Sequence, residues 1–346
     1  MHRPQDKQEK AILTVLEQAE PLCGDIAAWE SGLFFVESLS CKIRMMNRRV
    51  CCWRGHAGVK KSAGKSFELL LTEVCESTAS LRTMKTAESI ATCRLCKKTA
   101  ILSESHLMPK ALYRLVRKSL PGDPNPVIMT PRGSFPSDRQ IADPLLCPEC
   151  EDLFSKNGEK WVLANCYRGE SSFAIRTALE NSQPIWSREK CLFYSAKTIP
   201  SIDISKLVYF AASVFWRASV HLWKGYGKRA TIDLGREYEE KLRLYLLGQT
   251  ELPAQVAIWV GVSISEAPFV GVLFPFGGRQ DGNYMYRFVI PGLIFNIFLG
   301  KRLPSNILSM CILRSADNLI YAAEKIDEII EQDFLSLYSR AVSSRP

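Results

Sequence analysis

Apolar positions recur at helical spacing through residues about 7 to 40. In EKAILTVLEQAE, Ile12, Leu13, Leu16 and Ala19 share one face. GDIAAWESGLFFVESL continues the pattern, with Asp25 in a capping position. The stretch 42–65, punctuated by Gly55, Gly58 and Gly64, reads as loop-rich, and SFELLLTEVCESTASLRTM predicts a further helix. Between 93 and about 166 the periods shorten. TAILSESHLMP reads as a strand or hairpin, and KALYRLVRKSL as a short amphipathic basic helix. PGDPNPVIMTPRGSFPSDRQIADP is dense in Pro, Gly and Asp and reads as a long connection. It delivers the chain to LLCPECEDLFSKNGEKWVLANCY, which opens a helix.

Beyond that point the pattern is helical, then strand-like, then helical. ISKLVYFAASVFWRASVHLW and REYEEKLRLYLLG predict helices. QVAIWVGVSI, PFVGVLFPFGG and MYRFVIPGLIFNIFLG carry β-branched and aromatic residues between turn signals. ADNLIYAAEKIDEIIEQDFLSLYSRAV predicts one long closing helix, and no internal repeat is present. The expectation is an α+β protein of three regions. Residues 1–90 form a helical N-terminal region with a basic loop, 91–170 a unit built on cysteine pairs, and 171–346 a mixed helical and β region.

Composition narrows the class. With 47% hydrophobic and 23% charged residues, the 346-residue chain is that of a folded soluble protein. Its longest apolar runs are interrupted by Lys206, Arg217 and His221 in one case and by Pro291 and Asn296 in the other. Neither offers the ~20 clean apolar residues a membrane span needs. The N-terminus is polar before it is apolar and lacks a signal-peptide core, so a cytoplasmic location is expected. The net charge of +9 is uneven: no acidic residue falls between Glu37 and Glu68, where Arg48, Arg49, Lys60 and Lys61 lie. Such a patch suits phosphate contact or a solvated basic surface.

Twelve cysteines without a secretion signal point to metal ligation and buried thiols rather than disulfides. Cys93-x2-Cys96 and Cys147-x2-Cys150 form two knuckles, with 50 residues between them. Each places two thiolates on one tight turn, and together they complete a tetrahedral four-sulfur zinc site with no open position. The other eight cysteines, among them Cys166, Cys191 and Cys311, read as small packed hydrophobes. Of the four histidines, His106 lies in SESHLMPK between the knuckles. His56 reads as a surface residue, and His221 as a satisfied core residue on an apolar helix face. Arg217, inside the same apolar helix, is costly unless paired, so a structural ion pair is expected there.

The ensemble C-x2-C, a strand ending in SHLMPK, then LLCPECEDLF resembles the HNH (ββα-metal) nucleases, over roughly residues 93 to 165. It is most like a bacterial zinc-knuckle subgroup with Ser before the histidine and Glu after the last cysteine. The resemblance implies a zinc-clipped ββα unit that hydrolyses phosphodiester bonds in nucleic acid, DNA first. His106 would be the general base, and Mg2+ or Mn2+ the catalytic ion. Glu151, Asp143 and Asn157 are the candidate ligands of that ion, and Lys110 and Arg114 candidate nucleic-acid contacts. Anti-phage defence, with a regulatory protein partner or self-association, also follows from the resemblance. The chain departs from the family at Ser105, where an Asp is common, and at Ala142-Asp143, where the middle Asn is missing. The competing expectation is a catalytically silent zinc module that binds nucleic acid or regulates.

Overall fold

The computed structural model describes residues 90–118, 127–130, 133–136, 140–169, 172–188, 191–223, 232–280, 283–323 and 325–343. The segments expected to be N-terminal helices, His56, and the expected basic loop with Arg48, Arg49, Lys60 and Lys61 lie outside the described residues.

The fold is α+β. Strands β1 (Ile90–Thr92) and β2 (Thr99–Ile101) form a hairpin around the first knuckle. Strand β3 (Ser103–His106) leads into helix α1 (Lys110–Lys118). The long connection carries a hairpin of its own, β4 (Val127–Thr130) with β5 (Gly133–Pro136), before β6 (Ala142–Leu146) returns antiparallel to β3. Helix α2 (Pro148–Phe154) runs through a π turn, Ser155–Glu159, into α3 (Lys160–Asn165). Then come α4 (Ala174–Glu180), β7 (Trp186–Arg188), β8 (Cys191–Ser195), α5 (Ile204–Val220) and α6 (Arg236–Leu246). The chain continues as β9 (Val256–Ser263), β10 (Leu273–Gln280), β11 (Asn283–Ile290), β12 (Leu293–Leu299), α7 (Ser305–Met310), β13 (Leu319–Ala323) and α8 (Lys325–Ser343).

Seven strands form one sheet in the order β10-β11-β12-β9-β13-β8-β7, antiparallel except for the β9–β13 pair. Every residue of β9 is buried, the mark of a strand covered on both faces. The alternation of side chains sorts the two faces. Phe288 and Phe295 point to one face, where Phe210 of α5 meets their rings edge-on at 5.8 and 5.6 Å. Arg287 and Asn296 point to the other, joined by a 2.8 Å hydrogen bond, and Arg287 also pairs with Asp333 of α8 at 2.7 Å.

Helix α5 is capped by the Asp203 carboxylate, which accepts from the Lys206 N–H at 3.0 Å. All positions from Leu207 to Ala218 are buried, as expected of a helix apolar all round. Its second side receives the knuckle-bearing helix: Phe154 packs edge-on against Tyr209 and Trp216 at 6.0 and 6.1 Å. Gly158 permits the closest approach, since a Cβ there would lie 2.9 Å from the Phe210 backbone nitrogen. One continuous core therefore includes Cys93, Leu107, Phe154, Phe210 and Phe295.

The closing segment corrects the expectation of a single helix. Leu319–Ala323 is instead a strand in the middle of the sheet, and the helix starts at Lys325. LIYAA is buried from both sides, with Tyr321 packed on Trp259 and Phe193 at 5.4 and 5.2 Å, so tertiary packing decided its state. No described helix is long and apolar enough to cross a membrane.

Candidate metal centre and adjoining polar site

The two knuckles meet. In the first, Lys97 adopts φ +63°, closing the turn as its N–H bonds the Cys93 carbonyl at 3.0 Å. In the second, Cys147 caps α2, Pro148 follows in the first turn, and the Cys150 N–H reaches the Cys147 carbonyl at 3.0 Å. The sulfurs of Cys93, Cys96, Cys147 and Cys150 all lie within 4.8 Å of one another. A tetrahedral zinc with ~2.3 Å bonds needs sulfurs ~3.8 Å apart. Cys96 Sγ and Cys147 Sγ are 3.8 Å apart, so the donor set fits a metal ion such as zinc.

The surroundings support that fit. The Cys147 N–H points at Cys93 Sγ, 3.4 Å away, and Arg243 of α6 fixes the first knuckle by donating to the Leu95 carbonyl at 2.8 Å. A hydrogen bond from Cys150 draws the Cys93 thiol down to about 4, with burial opposing. The same bond pushes Cys150 far above its ordinary value, and burial raises Cys147 to about 11. Four thiols so close compete for protons, and a cation removes the competition by holding all four as thiolates. Cys166, Cys191 and Cys311 are buried apart from this group, as expected of packed thiols.

Strand β3 carries the next layer. It pairs Ser105 with Asp143 and His106 with Ala142. Ser105 and Asp143 are buried; His106, on the alternate face, is half-buried. Ser105 Oγ accepts from the Leu146 N–H at 3.1 Å, and the Glu151 carboxyl lies close enough to Ser105 to feel its hydroxyl. Burial pushes the Glu151 carboxyl up against the pull of Arg217, and its Oε1 has no hydrogen-bond partner.

Glu151 and Glu159 stand eight residues apart in the sequence. At about 100° per residue a plain α-helix would separate their faces by ~80°. The π turn absorbs one extra residue and brings both toward Arg217. Arg217 donates to Glu159 Oε1 at 2.6 Å and to the His106 carbonyl at 3.0 Å, so the expected ion pair is present. Its side chain is 1% exposed. Arg217→Ala should cost ~3–5 kcal/mol by leaving Glu159 and that carbonyl without their partner. The readout is a lower urea midpoint at unchanged slope; a cost below ~1 kcal/mol would show the pair to be idle.

His221 departs from its expected place. It ends α5 with its side chain 20% exposed, and its Nε2 lies 3.1 Å from Asp143 Oδ2. It is therefore not a core residue of the helix face. The Trp223 ring stands edge-on to it at 5.0 Å. Sequence reasoning passed over this contact because 78 residues separate the partners.

The three candidate ligands of a catalytic ion are not gathered as a set. Asp143 and Glu151 flank Ser105, whereas Asn157 lines an open groove with Leu153, Lys206, Tyr209 and Gln249. Among the described residues, the four cysteines are the only group of three or more His, Cys, Asp or Glu ligand atoms within 4.8 Å. Lys110 and Arg114 are exposed on α1. No family model, curated protein or solved structure matches the chain.

Proposed function

We propose that the chain is a metal-dependent nuclease of the HNH type, cutting phosphodiester bonds in nucleic acid, DNA first. The observation that carries the reading is the position of His106. It ends a strand that runs against β6, directly ahead of the helix in which the second cysteine pair sits. Zinc on the four cysteines would be structural, because four sulfurs leave no open position.

His106 would take the proton from the attacking water. Burial holds its pKa below the ordinary 6.5, with Lys110 adding to the effect and Glu104 opposing it. The imidazole is therefore neutral, and fit to act as a base, across the physiological range. Arg217 pins the residue's carbonyl, so the backbone that carries the imidazole is held in place. Lys110 and Arg114 follow on the exposed side of α1, in reach of a phosphate backbone running past the base.

Mg2+ or Mn2+ would neutralise charge on the scissile phosphate. Asp143 suits it as an oxygen ligand better than Glu151, whose carboxyl is buried against Arg217 and Glu159 and is pushed toward its protonated form.

The test is cleavage of plasmid DNA and of RNA by zinc-loaded protein with added Mg2+ or Mn2+, arrested by EDTA. The acid limb of kcat/KM should fall below pH 6.5, since a base with a lowered pKa stays active until lower pH. Glu104→Gln should shift the limb further down. A limb near pH 8 would assign the base to another group.

A further inference from the structure

The departures at Ser105 and at the missing middle Asn leave the catalytic ion short of ligands within the knuckle unit, and the structure offers a replacement from outside it. We propose that Asp143 Oδ2 and His221 Nε2 are the protein ligands of a divalent-cation site, with water and a substrate phosphate completing the shell. This rests on the nuclease reading for its purpose, but its geometry stands by itself.

Two ligand atoms bound at about 2.1 Å and at right angles lie ~3.0 Å apart. The Asp143–His221 separation is 3.1 Å, so an ion can enter between them with little movement of either side chain. Asp143 is 4% exposed on the inner face of β6, beside Ser105. The His221 ring is held by its edge-on contact with Trp223 and remains partly open to solvent. Mg2+ and Mn2+ are commonly bound through only one or two protein groups, keeping waters and taking up phosphate oxygens. A buried carboxylate with an oriented, partly exposed imidazole meets that need, and the imidazole favours Mn2+ over Mg2+.

Placement ties the pair to the base. Arg217 lies in the last turn of α5 and His221 is the extended residue that follows its end. Arg217 bonds the His106 carbonyl while His221 reaches Asp143, and β3–β6 pairing sets Asp143 beside Ala142, the partner of His106. Asp143 is thus one strand position from the partner of the base, with its side chain on the Ser105 face of the β3–β6 pair. A ligand supplied from the end of α5 also makes the sheet-and-helix scaffold part of the site.

The experiment is titration of the zinc-replete full chain with Mn2+ alone, followed by the loss of the free Mn2+ paramagnetic resonance signal. Zinc on the cysteines is confirmed to stay at one equivalent throughout. Wild type should show one Mn2+ site. Asp143→Asn, which preserves shape, and His221→Gln should each weaken it roughly tenfold or more, about 1.4 kcal/mol. Thermal melts of both variants confirm folding. No Mn2+ site in wild type, or unchanged affinity in two folded variants, overturns the proposal. Binding through the pair without cleavage of any nucleic acid would sustain the site and sink the nuclease reading. Cleavage with Mn2+ affinity indifferent to both substitutions would do the opposite.

Discussion

Cys150→Ala should strip the chain of its zinc, from about one ion per chain to near none, and unfold the region from β1 to α2. Binding energies of structural zinc run to ~10–16 kcal/mol in small fingers, because the metal-bound state is the folded state. Here the two knuckles join the turn of the β1–β2 hairpin to the start of α2, and their sulfurs share a 4.8 Å cluster. Removing one thiolate opens the tetrahedron and leaves three crowded, partly buried thiols. A strong chelator should act on wild type in the same way, and more readily at low pH, where protons compete for the sulfurs. Cys166→Ala is the matched control. That thiol is fully buried but lies outside the cluster, so its loss should leave zinc content unchanged. Equal zinc in the two variants would refute the four-sulfur centre.

His106→Ala should lower the rate of phosphodiester cleavage by ~10²–10⁴, the usual contribution of a general base. The substitution is a clean one. Arg217 holds the backbone carbonyl of residue 106, which alanine retains, and the imidazole is only half-buried. Folding, zinc content and DNA affinity should therefore survive, and the loss should fall on kcat. Lys110→Ala, by contrast, would remove one of the proposed phosphate contacts and should weaken binding and flatten its salt dependence by about one unit of slope.

Much of this architecture was legible in the sequence. C-x2-C spacing singled out the four cysteines because two intervening residues let one tight turn present both sulfurs to an ion. The basic helix stood out by its amphipathic period and the helix containing Arg217 by its long apolar run, while the stretch before His106 read as a strand or hairpin. Other features were carried by tertiary contact alone. LIYAA is too short and too uniformly apolar to show a period, and only its place between β9 and β8 makes it a strand. The π turn at Ser155–Glu159 has no signature in SKNGE, yet it turns Glu159 toward Arg217. His221 looked like a core residue because pattern reading continued the helix past Val220, where the chain turns extended. Its pairing with Asp143 joins segments that the sequence treats as separate regions.

The most direct test of the central claim is single-turnover cleavage of plasmid DNA by the zinc-replete chain with Mn2+, wild type beside His106→Ala. The account predicts metal-dependent nicking by wild type and a rate at least ~10²-fold lower in the variant. Equal rates in the two proteins, or no cleavage of DNA or RNA by wild type, would contradict it.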